Sequence, residues 1–228
     1  MTHWCNFITI IARIMEKQNQ FEVLKGFIVF EGLDGAGTTT QSGLLHRRLE
    51  RKGFSSVLTC APTESFIGKT VRQVLQKKAS VAPGTLAKLF AADRHNHLFH
   101  EEEGILALLN SSSVVISDRY LFSSLAYQSI DWDFTSVWNL NCDFPIPEHL
   151  VFLDISPEES QRRILDRKTP MEIYEKKDLQ DDIRSNYFHA FTLFEHTDMQ
   201  LHIFDATLPV NELEEMVWKR IKPSDTRG

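Results

Sequence analysis

Residues 30–41 read F-E-G-L-D-G-A-G-T-T-T-Q, and the spacing of Gly32, Gly37 and Thr39 within that stretch decides the fold. It matches the phosphate-gripping pattern G-x-x-x-x-G-K-[ST] everywhere except at the lysine, whose place is taken by Thr38. Such a loop belongs between a strand and a helix, and both are legible. Residues 26–31 (GFIVFE) form an apolar run suited to a strand buried on both faces, and 39–52 carry apolar residues at helical spacing. Gly32, Gly35, Ala36 and Gly37 are small enough for backbone N–H groups to converge on phosphate oxygens, and the helix opening at Thr38, Thr39 and Thr40 adds partial positive charge. Thr39 stands where a hydroxyl would ligate Mg²⁺ between the outer phosphates. The loop reads as a nucleoside triphosphate site that lacks the side chain expected to reach those phosphates.

Outward from the loop, strand-like and helix-like segments alternate. Strands are expected at 56–59, 114–117, 150–155 and 201–204. Helices are expected at 68–78, at 86–109 with a break near Glu102, and at 123–130, 157–167 and 179–194, with a last one introduced by Pro209 and Asn211. Ser156-Pro157-Glu158-Glu159 supplies an N-cap, then proline and acids in the first turn. The pattern predicts an α/β fold, a five-stranded parallel sheet flanked by helices.

At 228 residues and 42% hydrophobic content the chain can bury the core of one compact domain. A net charge of −6 disfavours nucleic acid or an anionic membrane as a partner of the whole surface. Cys5, Cys60 and Cys142 show neither zinc spacing nor a disulfide framework, which suits a reducing cytoplasm. The apolar stretch 7–12 is too short to span a bilayer and lacks the flanks of a signal peptide. Residues 1–24 are expected to be an extension outside the fold, with Met15 a candidate start, and 25–223 a single domain whose tail frays.

Three further clusters carry chemistry. Asp118-Arg119-Tyr120 closes the third strand, at the sheet edge where open α/β folds bind ligands; Arg119 can grip phosphate, and Asp118 can orient a nucleophile or a metal-bound water, although a strand-closing ion pair gives the same sequence. Phe90 and Arg94, four apart, can stack on a base and bond its edge, or be a core aromatic beside a surface arginine. Arg162, Arg163, Arg167 and Lys168 trail off a helix and can either close over a transferred phosphate or complement the helix dipole. His95, His97 and His100 beside Glu101, Glu102 and Glu103 read as a solvated face rather than a metal site.

As an ordered set these residues resemble the thymidylate kinase family over about 26–221. The set comprises the E-G-x-D-G-A-G loop ending in T-T-Q, F-x-x-x-R followed by His97, D-R-Y-x-x-S-S-x-A-Y-Q, L-D-x-S-P-E-E, and I-Y-E ahead of I-R-S-N-Y. The resemblance implies an enzyme that phosphorylates dTMP with ATP and Mg²⁺, in a homodimer. It gives Asp34 a role at the sugar 3′-hydroxyl and the metal, Phe90 and Arg94 the thymine, Arg119 the acceptor phosphate and Tyr127 the exclusion of a 2′-hydroxyl. Ser124 and Gln128 line the same pocket. Asp118, Arg119 and Arg167 fall in the catalytic set, Thr39, Asp34 and Asp118 in the metal set, and a lid spans about 166–177 with Arg167 as its arginine.

The sequence departs from the family at three places. Thr38 replaces the loop lysine, Thr59-Cys60-Ala61-Pro62 stands where T-R-E-P is common, and the segment after Arg167 carries Lys168, Lys176 and Lys177 rather than arginine. All bear on phosphate chemistry more than on base recognition. They leave two alternatives open: a kinase for another pyrimidine monophosphate, and a nucleotide-binding protein whose catalysis is impaired.

Overall fold

The computed structural model describes residues 21–221 apart from 112, 168 and 169; the stretch 7–12, Met15, Cys5, Lys168 and the tail 223–228 lie outside the described residues. Strands β1 (Val23–Gly32), β2 (Ser56–Cys60), β3 (Val114–Asp118), β4 (Ile146–Asp154) and β5 (Gln200–Asp205) form one parallel sheet in the order β2-β3-β1-β4-β5. In β1 every residue from Phe27 to Gly32 is buried, which a strand achieves only when helices cover both faces. The expected α/β architecture is present.

Both β1 and β4 begin earlier than their apolar runs suggest. Val23 and Leu24 pair with Ile146 and Pro147, and the register then shifts before Ile28. Gly26 sits at that irregularity with φ +76, and Glu148 spans it by accepting the Gly26 N–H at 2.8 Å and Lys25 Nζ at 3.2 Å. The irregularity breaks the apolar run that the sequence offers, so the strand's first turn is illegible there. Phe21 packs on Phe194 and Trp138 at centroid distances of 4.9 and 6.0 Å, so residues 21–24 belong to the packed domain rather than to an extension.

The helices are α1 (Thr38–Arg51), α2 (Phe66–Leu75), α3 (Pro83–Phe99), α4 (Ile105–Asn110), α5 (Leu121–Tyr127), α6 (Phe134–Asn141), α7 (Pro157–Asp166), α8 (Lys177–Thr192) and α9 (Val210–Ile221). Ser156 caps α7 as its sequence predicts, accepting the Glu159 N–H at 3.2 Å. Helix α6 has no counterpart in the sequence reading. Its FTSVWNLN is rich in β-branched and aromatic residues, and the cue that does mark it is Asp133, which accepts the Ser136 N–H at 2.9 Å. α1 and α9 pack together, while α8 packs on α5 and α7, so the elements that carry the clusters converge at the C-terminal edge of the sheet.

Candidate active site

Sheet register assembles the first part of the site. Phe30 is opposite Asp118, and Asp118 is opposite Cys60, so the ends of β1, β3 and β2 form one row at the mouth of the glycine loop. Gly37 takes φ +95 just before α1, and Gly32 packs so closely that a Cβ would lie 2.7 Å from the Leu153 carbonyl. Thr38 is buried, 6% exposed, as the first residue of α1. Thr39, exposed beside it, donates from Oγ1 to Asp118 Oδ2 at 2.5 Å; the other oxygen, Asp118 Oδ1, is buried with no partner. Thr40 is exposed on the same turn.

Arg119 is the hub of the second part. Its backbone is left-handed, φ +73, held by the Arg119 N–H to the Phe30 carbonyl at 2.8 Å and by the Ser117 hydroxyl to the Arg119 carbonyl at 2.7 Å. Nη2 donates to Asp34 Oδ1 at 2.6 Å. Nη1 points at the Gly32 carbonyl (3.0 Å) and the hydroxyls of Ser123 (3.1 Å), Tyr187 (3.2 Å) and Tyr127 (3.4 Å). Burial works against the charge, yet the Tyr127 oxygen, Asp34, the Tyr187 oxygen and Glu31 outweigh it and hold the pKa above the ordinary guanidinium value. The Nε–H and one Nη2–H remain without a protein acceptor among the described residues, enough to grip an anion.

These groups open on a cleft of about 410 Å³. Asp34, Thr39, Asp118 and Arg119 line it, as do Phe90, Tyr120, Tyr127 and Gln128. Arg94 and Ser124 do not line it: they form a buried layer behind the wall. Arg94 donates to Asn141 Oδ1, to Ser124 Oγ at 2.7 Å and to the Tyr120 carbonyl at 3.2 Å, and burial lowers its pKa to about 10, still charged at neutral pH. Arg94 Nε, His97 Nδ1, Gln128 Oε1 and Ser129 Oγ are buried in this region with no partner among the described residues. His97 is tied to Thr59 through Nε2 at 2.7 Å; burial lowers its pKa to about 4, so it is neutral.

The altered T-C-A-P stretch proves to be one wall of the cleft. Cys60, Ala61 and Pro62 line it together with Arg72 and Glu64, a guanidinium and a carboxylate 3.0 Å apart. Arg72 also contacts the Pro62 carbonyl and Cys60 Sγ. An ion pair from α2 and the preceding loop thus occupies the wall from which sequence comparison subtracts an arginine and an acid. Asp93, buried on α3, holds that loop by accepting the Thr63 N–H (2.7 Å), the Thr63 hydroxyl (2.6 Å) and the Ser65 hydroxyl (3.0 Å).

Of the basic residues on α7, Arg163 reaches the glycine loop. It donates from Nη1 to the Gly35 carbonyl at 3.2 Å, from Nη2 to the Ala206 carbonyl at 2.9 Å and from Nε to Glu159 at 2.6 Å. Arg162 pairs with Glu159 and Asp166 at the surface, and Arg167 pairs with Glu175 at 2.7 Å. Beyond Arg167, Glu172 and Tyr174 line the cleft, and the Ile173 N–H bonds the Leu75 carbonyl of α2 at 3.2 Å.

Sequence reasoning passed over Arg72, Glu64, Asp93, Glu172, Tyr174 and Glu31. The one signal for Arg72 is its place on a helix that starts just after the T-C-A-P turn. Glu31 carried a signal too, a carboxylate inside an apolar run, which is costly to bury unless partners await it.

Comparison with known proteins agrees with this geometry. A family model described as "Thymidylate kinase" matches residues 30–217. A Treponema pallidum (strain Nichols) protein bearing the thymidylate kinase name is 36% identical over 199 residues, covering 87% of this chain and 94% of that protein. "Probable thymidylate kinases" of Pyrococcus abyssi and Methanococcus aeolicus are 34% and 36% identical, each covering 86% of this chain and 95% of their own length. A glycine loop facing an arginine-centred cleft at the edge of a parallel sheet, matched over most of its length by these relatives, establishes that the chain belongs to the thymidylate kinase family.

Proposed function

We propose that this chain transfers the γ-phosphoryl group of ATP to the 5′-phosphate of dTMP, giving dTDP and ADP. An acceptor phosphate oxygen forms the new bond to the γ-phosphorus while its bond to the β,γ-bridging oxygen breaks, and positioning with charge stabilisation does the catalysis. The observation that carries the reading is the pairing of Arg119's free donors with the Phe90 ring and the Gln128 side chain in one cleft, with Arg94 in the layer behind its wall. The Phe90 ring gives a base a face to stack on, and the Gln128 amide offers a donor and an acceptor for its edge. Tyr127, packed against Arg119, leaves deoxyribose as the better fit.

Mg²⁺ fits the donor set at the loop. The Thr39 hydroxyl and Asp118 carboxylate face each other, and the buried, unpartnered Asp118 Oδ1 needs a cation or donor; Asp34 stands nearby, its Oδ1 engaged by Arg119. Magnesium is commonly held by one or two carboxylates plus phosphate oxygens, and when bound it supplies charge neutralisation to the outer phosphates. Arg163, bonded to the loop backbone, is the cation placed to serve where Thr38 replaces lysine, and segment 166–177 is the lid that brings Glu172 and Tyr174 over the acceptor. No helix among the described residues is long and apolar enough to cross a membrane. A cytoplasmic homodimer is the proposed setting.

Incubation of the purified chain with Mg-ATP and a panel of monophosphates, with each diphosphate quantified, tests this. dTDP as the dominant product is expected. Thr38 favours one second reading, a nucleotide binder with impaired catalysis, which tight dTMP and ATP binding without any diphosphate would establish instead.

A further inference from the structure

We infer that Glu31, which does not line the cleft, is a positioning residue that dictates how Arg119 presents its donors to the acceptor phosphate. The inference rests on the proposed role of Arg119 at that phosphate.

Glu31 is fully buried at the end of β1, and each of its oxygens meets donors alone. Oε1 accepts the N–H groups of Tyr120 at 2.8 Å and Ser123 at 3.1 Å. Oε2 accepts the hydroxyls of Ser123 at 2.5 Å and Tyr187 at 2.8 Å. A carboxylate satisfied in this way only accepts, so it draws the single proton of each hydroxyl toward itself. Tyr187 has alternative acceptors in the Gly32 carbonyl at 3.3 Å and the Ser123 hydroxyl at 2.9 Å, but neither carries the charge of Oε2, which wins the proton.

The consequence falls on Arg119. With their protons committed to Glu31, Ser123 and Tyr187 turn only lone pairs toward Arg119 Nη1, at 3.1 and 3.2 Å. Nη1 is thereby fully occupied on the protein side, which leaves the Nε–H and remaining Nη2–H of a residue that lines the cleft for the acceptor phosphate. Neutralising Glu31 with an isosteric amide reverses the polarity of this chain of bonds. The amide N–H₂ then donates to the two hydroxyl oxygens, whose protons are released toward the Gly32 carbonyl, one another or Nη1, so that neither hydroxyl is held as a committed acceptor for Nη1.

The test compares dTMP with thymidine, which lacks the phosphate, by isothermal titration calorimetry on the purified chain. Glu31→Gln is expected to weaken dTMP binding about tenfold, the worth of one charge-assisted hydrogen bond, and to leave thymidine binding within about twofold. Tyr187→Phe, which removes one relay hydroxyl, is expected to weaken dTMP alone by about threefold. Arg119→Met is the benchmark and should abolish the preference for dTMP over thymidine. If that preference survives Arg119→Met, the role of Arg119 fails and the inference with it. If Arg119→Met removes the preference but Glu31→Gln spares dTMP, or lowers both ligands equally, the inference alone is overturned. Should Glu31→Gln fail to fold, Tyr187→Phe decides: a loss confined to dTMP sustains the relay, and no loss ends it.

Discussion

Arg163 Nη1 lies 3.2 Å from the Gly35 carbonyl, which sets a guanidinium of α7 against a glycine loop whose lysine position is the buried Thr38. The same side chain bonds Ala206 and Glu159, so it is anchored rather than free to wander. A fixed cation beside the phosphate loop is what the altered motif requires.

Arg163→Ala is therefore expected to lower kcat by about 10²-fold, the usual cost of one preorganised cationic contact. Arg167→Ala, which breaks an ion pair with Glu175 and touches no residue of the glycine loop, should cost less. A coupled ADP assay ranks the two, and an equal or larger loss for Arg167→Ala would reverse the assignment.

Restoring the family residue tests the same point from the other side. With Arg163 in the proposed role, Thr38→Lys should change turnover less than about tenfold, the incoming amine meeting a buried position. A gain of tenfold or more would show that nothing compensates.

Asp93 supports the cleft wall from behind. Asp93→Ala leaves the buried Thr63 N–H without its acceptor and the Thr63 and Ser65 hydroxyls with only one another as acceptors, and should destabilise the chain by about 2 kcal/mol. It should also raise the KM for dTMP more than that for ATP, since Glu64 and Arg72 follow the loop it anchors. Denaturant melts and the two KM values check both statements.

Acid should loosen the fold through its histidines. His97 and His202 have pKa values lowered by burial from 6.5 to about 4 in the folded chain. The unfolded chain thus binds more protons between these values, and stability falls as pH drops from about 6.5 to about 4. For His97 the limit is about 3 kcal/mol. Glu31, whose pKa burial raises, acts in the opposite sense above pH 4.5. Replacing His97 with glutamine should flatten the melting temperature against pH in that window; an unchanged slope would refute the assignment.

What the sequence disclosed follows from how locally each feature is determined. The glycine loop, the Asp118-Arg119 pair and the Ser156 cap depend on neighbours within a few residues, and the structure has them where the spacing puts them. Phe90 and Arg94 share a helix, yet Phe90 reaches the cleft while Arg94 lies behind it, because Asn141 on the unread helix α6 and Ser124 on α5 claim its donors. The Arg72–Glu64 wall was equally hidden: it exists only once β2, the T-C-A-P turn and α2 have folded back on one another. Strand β1 lost its start to the irregularity at Gly26, where periodicity stops before pairing does.

Thr38 has a chemical consequence beyond turnover. A threonine at that place leaves the loop with no amine, so acylating nucleotide analogues that work by capturing a loop lysine have no group there to modify. Cys60, which lines the cleft, is instead the thiol that an electrophile held there would meet, so a covalent ligand of this chain has to be designed toward that wall.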